Sequence, residues 1–369
     1  RSANREAVAC FEQAIAALGH LPQSRTALEQ AVDLRLDLRV ALIALGELDR
    51  LQAYLVEAEG LARDLADRRR LGWVSVYLGH YFWITAQAAE SRACSEEALE
   101  AARAIGDPRL EVLANNYLGY LSRTAGEYRR AADFCRTMIR LTDGALQSER
   151  IGPNYPAAIA RYLLPYTLAD LGEFAEGIAR GKEGIRLAET LGQPFTTAQC
   201  YWGLGYFHGI KGDLGEAVRL LERGSAICRE WDVVFMSPFL AWTLGWVYAL
   251  SSRVEEGLPL MQEGLAGIER LGFRAYEALG DAQLSEALVI ADRLDEAGPA
   301  ATRALELARA RGQRGFEAGA LRMLGEVAAR RDPPDADAAE DHYRRAMALA
   351  EELGMRPLVA HCRLGRGGL

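Results

Sequence analysis

Apolar residues recur along this chain in steps of three and four, as in Leu38, Leu42 and Leu45 or Leu204, Phe207 and Ile210. That spacing puts them on one face of an α-helix. The helical stretches are punctuated at regular places. A leucine followed by glycine returns as Leu78-Gly79, Leu118-Gly119, Leu204-Gly205, Leu244-Gly245, Leu324-Gly325 and Leu364-Gly365. Leu38, Leu164 and Leu284 hold the same slot, with Arg39, Pro165 and Ser285 behind them. Successive leucines stand 40 residues apart, except Leu118 and Leu164, which are 46 apart. A fixed period of this size marks a helical solenoid, in which each unit packs chiefly on its neighbours.

Seven residues after each slot comes a turn: Gly46, Gly126, Gly172 and Gly212, with Ala86, Ser252 and Asp292 as equivalents. Small residues follow, among them Ala131, Ala217 and Ala297, then Ala58, Ala98 and Ala304; Gly177, Gly257, Gly184, Gly224 and Gly264 are their counterparts. Such residues let two helices cross closely. A second breaker closes each unit, as in Gly106-Asp-Pro108, Gly192-Gln-Pro194, Gly272, Gly312 and Gly354-Met-Arg-Pro357. Glycine then proline is a helix stop followed by a helix start.

The pattern predicts first helices near 22–45, 68–85, 108–125, 154–171, 194–211, 234–251, 274–291 and 314–331. Second helices are predicted near 48–66, 88–105, 128–143, 174–191, 214–231, 254–271, 294–311 and 336–354. No strand pattern competes. The six-residue irregularity maps to a loop insertion near 144–156, where Gly152, Pro153 and Pro156 cluster. Partial units are expected at 1–20 and 356–369, which reads as one superhelical domain over 1–369 cut from a longer protein.

Leu-Gly, an aromatic three residues on (Tyr248, with Phe82 as equivalent), the turn glycine and the two small residues together resemble the tetratricopeptide repeat. The resemblance covers nearly the whole chain. It implies an all-α, right-handed α-solenoid of antiparallel helix pairs. The units depart from the family in length, 40 residues rather than about 34. They also mostly lack its aromatic four residues before the glycine, for which Tyr201 is the clearest match. Long units of this kind resemble the C-terminal arrays of bacterial multidomain signalling proteins. Residues 31–39 and 324–358 are most similar to arrays behind adenylate cyclase and predicted ATPase modules.

Composition changes this picture little. Half of the 369 residues are hydrophobic and the net charge is −8, thinly spread, which argues against nucleic-acid binding. Val233 to Ser252 carries no charged residue, yet Pro238 and Thr243 interrupt it and it keeps the register of a buried first helix. Cys10, Cys94, Cys135, Cys200, Cys228 and Cys362 lie far apart and read as free thiols of a cytoplasmic protein. The five histidines show no metal-ligand spacing. Gly181-Lys182 is followed by glutamate inside a helix, so it is no phosphate loop. No catalytic residue, metal or cofactor is expected.

The resemblance implies which face is concave. On the first helices, the columns flanking the Leu-Gly slot face the groove. Carried over position by position, they bring Tyr120, Tyr162, Tyr166, Trp202, Tyr206, Trp242 and Trp246 into its middle. His80, Trp83 and Asn116 flank them on the N-terminal side. Glu286, Glu326 and Asp281 make the other end acidic. Tyrosine and tryptophan dominate binding hot spots, and an exposed stripe of this size is costly unless it binds something. Packing between first helices is the competing explanation. The leading expectation is a non-enzymatic scaffold of a bacterial signalling protein, holding a peptide or protein segment with a basic group at the acidic end. A small-molecule inducer sensor controlling upstream modules, and an architectural or oligomerisation spacer, are the alternatives. Neither nucleic acid nor membrane is an expected partner.

Overall fold

The computed structural model describes residues 2–22, 24–144, 146–151 and 155–368. They form eighteen α-helices and one 3-10 turn, and no strand occurs among the described residues. The pairs run α2 (Arg25–Leu45) with α3 (Leu48–Asp64), α4 (Arg68–Ile84) with α5 (Ala88–Ile105), and α6 (Pro108–Thr124) with α7 (Tyr128–Thr142). Next come α8 (Pro156–Leu171) with α9 (Phe174–Leu191), α10 (Pro194–Lys211) with α11 (Leu214–Glu230), and α12 (Ser237–Leu250) with α13 (Val254–Arg270). The last pairs are α14 (Glu277–Ile290) with α15 (Leu294–Ala310) and α16 (Arg314–Arg330) with α17 (Ala336–Leu353). Helix α1 (Ser2–Gly19) precedes the array and α18 (Arg356–Gly367) follows it. This is the helical-repeat solenoid that the spacing predicts.

Two starts differ from the sequence pattern. Helix α12 begins at Ser237, because Pro238 lacks an N–H and suits a first turn, which leaves residues 231–236 as a loop. Helix α14 is preceded by the 3-10 turn Arg274–Tyr276, which aims Tyr276 inward. The extra residues of the long interval fall between α7 and α8; Gly152 and Pro153 lie outside the described residues. No described helix is long and apolar enough to cross a membrane, and α12 is a buried inner helix of 14 residues.

Small residues do what the spacing implies. A Cβ on Gly245 would lie 2.5 Å from the Met261 nitrogen and 2.6 Å from the Gly257 carbonyl oxygen. One on Gly264 would lie 2.3 Å from the Trp242 nitrogen, so α12 and α13 cross backbone to backbone.

The turn positions all adopt the left-handed conformation. Gly46, Gly126, Gly172 and Gly212 have φ of 76°, 87°, 70° and 88°, but so do Ala86, Ser252 and Asp292 at 63°, 62° and 59°. A Cβ costs roughly 1–2 kcal/mol there, against about 0.5–1 kcal/mol for glycine's extra chain entropy. Ala86→Gly is therefore expected to raise stability by about 0.5–1 kcal/mol in denaturant titration. Gly126→Ala should lower it, since its Cβ would meet the Gly315 nitrogen at 3.0 Å.

First helices form the inner layer and touch one another, while second helices pack on the first helices of their own and the following unit. Every residue of α8 is buried, as expected of a helix covered all round. The superhelix then coils back on itself. Arg356 donates from Nε to the Leu171 carbonyl at 2.8 Å across 185 residues of sequence, and from Nη2 to the Gly172 carbonyl at 3.0 Å. The end of α8 has carbonyls with no helical partner, and Arg356 supplies their donors. Gly126 meets Gly315 across the same seam.

Candidate functional site

The second superhelical turn decides what becomes of the aromatic column. Trp83, Tyr120, Tyr162, Tyr166, Trp202, Tyr206, Trp242 and Trp246 all lie on the inner face, as their register predicts, and all are less than a tenth exposed. The stripe is thus no open furrow. Tyr276 enters from the next turn, with ring centroids 5.7 Å from Trp83, 6.3 Å from Tyr166 and 6.4 Å from both Trp202 and Trp242. Phe273 stands edge-on to Trp83 at 5.1 Å. Sequence reasoning missed both rings: Phe273 follows the breaker Gly272, and Tyr276 lies in a 3-10 turn where the pattern predicts the first turn of a helix.

The concave side holds two cavities that share no lining residue, and Tyr276 lines the N-terminal one. The N-terminal cavity, about 480 Å³, is walled by rings that include Trp83, Tyr120, Tyr162 and Trp202. The C-terminal cavity, about 360 Å³, is walled by Tyr206, Trp246, Phe316 and two methionines. Tyr166 and Trp242 line neither and belong to the core. Both volumes suit a small organic ligand or a few peptide side chains.

A buried ion pair adjoins the C-terminal cavity, which Asp170 lines. Arg123, 0% exposed, donates to Asp170 at 2.9 Å and to the Tyr166 carbonyl at 3.3 Å. Its guanidinium also covers the Tyr166 ring at 3.5 Å, a cation–π contact. Burial pushes the Asp170 carboxyl above its ordinary range, and the Arg123 charge opposes that rise.

The polar groups of the N-terminal cavity are unusual in being unused. Arg39 Nε, His80 Nδ1, Trp83 Nε1, Asn116 Oδ1 and Gln199 Oε1 are buried and have no hydrogen-bond partner. Arg39 is 6% exposed, and its guanidinium rests on the Tyr77 ring at 4.0 Å. His80 is stacked on Tyr117 at 4.3 Å. Burial, then the Arg39 charge, holds its pKa well below the ordinary histidine value, so it is neutral. Each orphaned polar group costs about 1–3 kcal/mol, and a buried charge costs more. Not all polar groups here are idle, since the Tyr120 and Tyr162 hydroxyls bond each other and Trp202 Nε1 donates to Thr243 at 2.8 Å. Trp231, 62% exposed, and Val234 stand in the loop at the cavity's edge. Of these polar residues, sequence reasoning placed His80, Trp83 and Asn116 beside the groove and missed Arg39 and Gln199. The signal for Arg39 was its occupation of a glycine slot.

The acidic end is not free to meet a base. Glu286 accepts from Arg322 and from Trp246 Nε1, the latter at 2.9 Å. Glu326 lies 4.0 Å from Arg322 and 3.7 Å from Arg330, and it lines neither cavity. Asp281 pairs with Arg303 at 3.2 Å. Arg322 reaches Glu286 from the next unit, which alignment of columns along a single helix cannot show, whereas Glu326 meets arginines of its own helix and Asp281 one of its own unit. The carboxylates at this end are thus already paired with arginines of the chain itself. Among the described residues no group of histidine, cysteine and carboxylates could hold a metal.

No protein-family model and no curated protein sequence matches this chain. Solved structures do. A Rap protein complexed with competence and sporulation factor is 13% identical, with a TM-score of 0.67 over 96% of this chain and 99% of that one. The Rap conjugation gene regulator of plasmid pLS20, in complex with the Phr* peptide, is 13% identical, with a TM-score of 0.61 over 94% and 95%. The tetratricopeptide-repeat sensor protein of the signal-transduction ATPase class from Pyrococcus horikoshii is 12% identical, with a TM-score of 0.50 over 89% of this chain and 50% of that one. At these identities the likeness establishes the fold, a tetratricopeptide-like helical array.

Proposed function

We propose that this array is a regulatory peptide receptor whose ligand enters the N-terminal cavity. The observation that carries the reading is the set of unpartnered buried atoms, Arg39 Nε, Asn116 Oδ1 and Gln199 Oε1, on residues that line a cavity with an aromatic wall. The carbonyl oxygens of the Asn116 and Gln199 carboxamides accept from backbone N–H groups, and the carboxamide nitrogens can donate to backbone carbonyls. Arg39 offers a charge-assisted bond to a carboxylate. Trp83, Tyr120, Tyr162 and Trp202 supply apolar area for side chains. The array's likeness in fold to proteins solved with competence and sporulation factor and with the Phr* peptide supports the reading. In a longer chain of the kind the sequence resembles, with a cyclase or ATPase module upstream, capture would bias how the array docks on that module. Such coupling requires different ligand affinity in the two states.

The test is selection of an unbiased library of short peptides with free C-termini. Enriched peptides should bind the wild-type chain, and Asn116→Leu should weaken them about tenfold or more, as loss of a buried hydrogen bond does. Amidating the peptide's carboxylates should weaken binding to wild type but leave binding to Arg39→Met unchanged. Failure to enrich any peptide, or equal affinity in both variants, would sink the reading.

A further inference from the structure

The C-terminal cavity is chemically unlike the first. Its charges are already satisfied within the protein: Glu286 with Arg322, Asp170 with Arg123 at 2.9 Å, and Lys211 with Asp213 at 2.6 Å. His361 is the remaining lining side chain that could carry a positive charge. Burial first, and then the Arg322 charge, pulls its pKa below the ordinary value, while Glu286 and Glu326 oppose that fall. The cavity thus offers no net charge to a ligand. An ion brought there would lose its hydration and meet no charge that is not already paired within the protein.

What the cavity does offer is carbon surface and a few idle polar atoms. Phe316, Met323, Met355 and Leu358 give it an apolar, adaptable wall. Gln283, 5% exposed, leaves Oε1 without a donor. Tyr128, 1% exposed, has a hydroxyl without a partner, and Arg322 Nε lacks an acceptor. All three residues line this cavity, so its wall holds an idle acceptor and two idle donors within an apolar surround.

We infer that the C-terminal cavity is a second binding site, for a compact uncharged molecule with an apolar body and an amide-like polar end. The polar end gives a hydrogen to Gln283 Oε1 and accepts one from Tyr128 or Arg322. The site differs from the peptide cavity in place and in charge, and the two cavities share no lining residue. It also spans a seam. Tyr128 and Asp170 come from the first superhelical turn, and Phe316, Met355 and Leu358 from the second, beside the Arg356 clasp on α8. A molecule bound there holds the two turns together and acts on the array's closure.

Benzamide is the probe, with benzoate and benzylamine as charged controls of the same shape. Binding to the whole chain is read by ligand-observed NMR and by the shift in melting temperature. Benzamide should bind the wild type and raise its melting point, at least about tenfold more tightly than either charged control. Gly319→Leu is the blocking variant. Gly319 lies in α16, lines the cavity and has open space where a Cβ would stand. Glycine is a poor helix former, so this variant should fold at least as well as wild type while losing benzamide. Gln283→Leu removes the idle acceptor and should weaken benzamide about tenfold without loss of stability. Asn116→Leu, in the other cavity, should bind benzamide as wild type does. The proposal is overturned if wild type does not bind benzamide, if Gly319→Leu still binds it, or if Asn116→Leu abolishes it. None of these outcomes depends on whether a peptide occupies the first cavity.

Discussion

Replacing Trp242 with alanine is expected to destabilise the chain by about 3–5 kcal/mol, the cost of emptying a buried aromatic site. Trp242 is 1% exposed and lines neither cavity. Its backbone nitrogen would stand 2.3 Å from a Cβ on Gly264, so the helices cannot close further on the void. Chemical denaturation checks the number. Iodide quenching of tryptophan fluorescence checks its cause. Trp83, Trp202, Trp242 and Trp246 are 1–4% exposed and should be shielded, while Trp231, at 62%, should carry most of the quenching. Trp231→Phe should then remove most of the quenching at little cost in stability. Trp73 is only partly buried, so strong quenching that survives Trp231→Phe combined with Trp73→Phe, or a Trp242→Ala variant within about 1 kcal/mol of wild type, would mean that the inner column is open to solvent.

Arg123→Met should be at least as damaging at neutral pH, by about 3–5 kcal/mol, because it strands Asp170. Asp170 is 8% exposed and has Arg123 at 2.9 Å as its ion-pair partner. The pH dependence distinguishes this from simple loss of packing. The folded-state pKa of Asp170 is raised above its unfolded value. Protonation therefore favours the fold, and that contribution is lost as pH rises above the unfolded value of about 3.9. Without Arg123 the rise is larger, so the cost of the variant should be small near pH 4 and grow toward pH 7. The double variant Arg123→Met/Asp170→Leu should recover much of the loss. A cost that does not change with pH, or no recovery in the double variant, would show that the stacked guanidinium matters only as volume.

Helices, turns and the inner column are local properties, and they were legible in the sequence. Apolar steps of three and four place α2 to α17 to within a few residues, since a helix's buried face repeats with its own period. The column from Trp83 to Trp246 follows from register alone, because equivalent positions in stacked units point the same way. The free thiols were also legible, and all six cysteines are unpaired. What the column does is not local. Small rotations between units add up until α6 meets α16 and Arg356 reaches α8, and no short window of sequence encodes that sum. Only this closure buries the aromatic rings, brings Tyr276 between them and forms two cavities in place of one groove. It also pairs Glu286 with an arginine from the next unit and leaves Arg39 Nε, Asn116 Oδ1 and Gln199 Oε1 buried without hydrogen-bond partners. The repeat period thus determined that the chain is an array with an aromatic inner face. The superhelical turn, a property of the whole chain, decided which of those residues are core and which face an empty space.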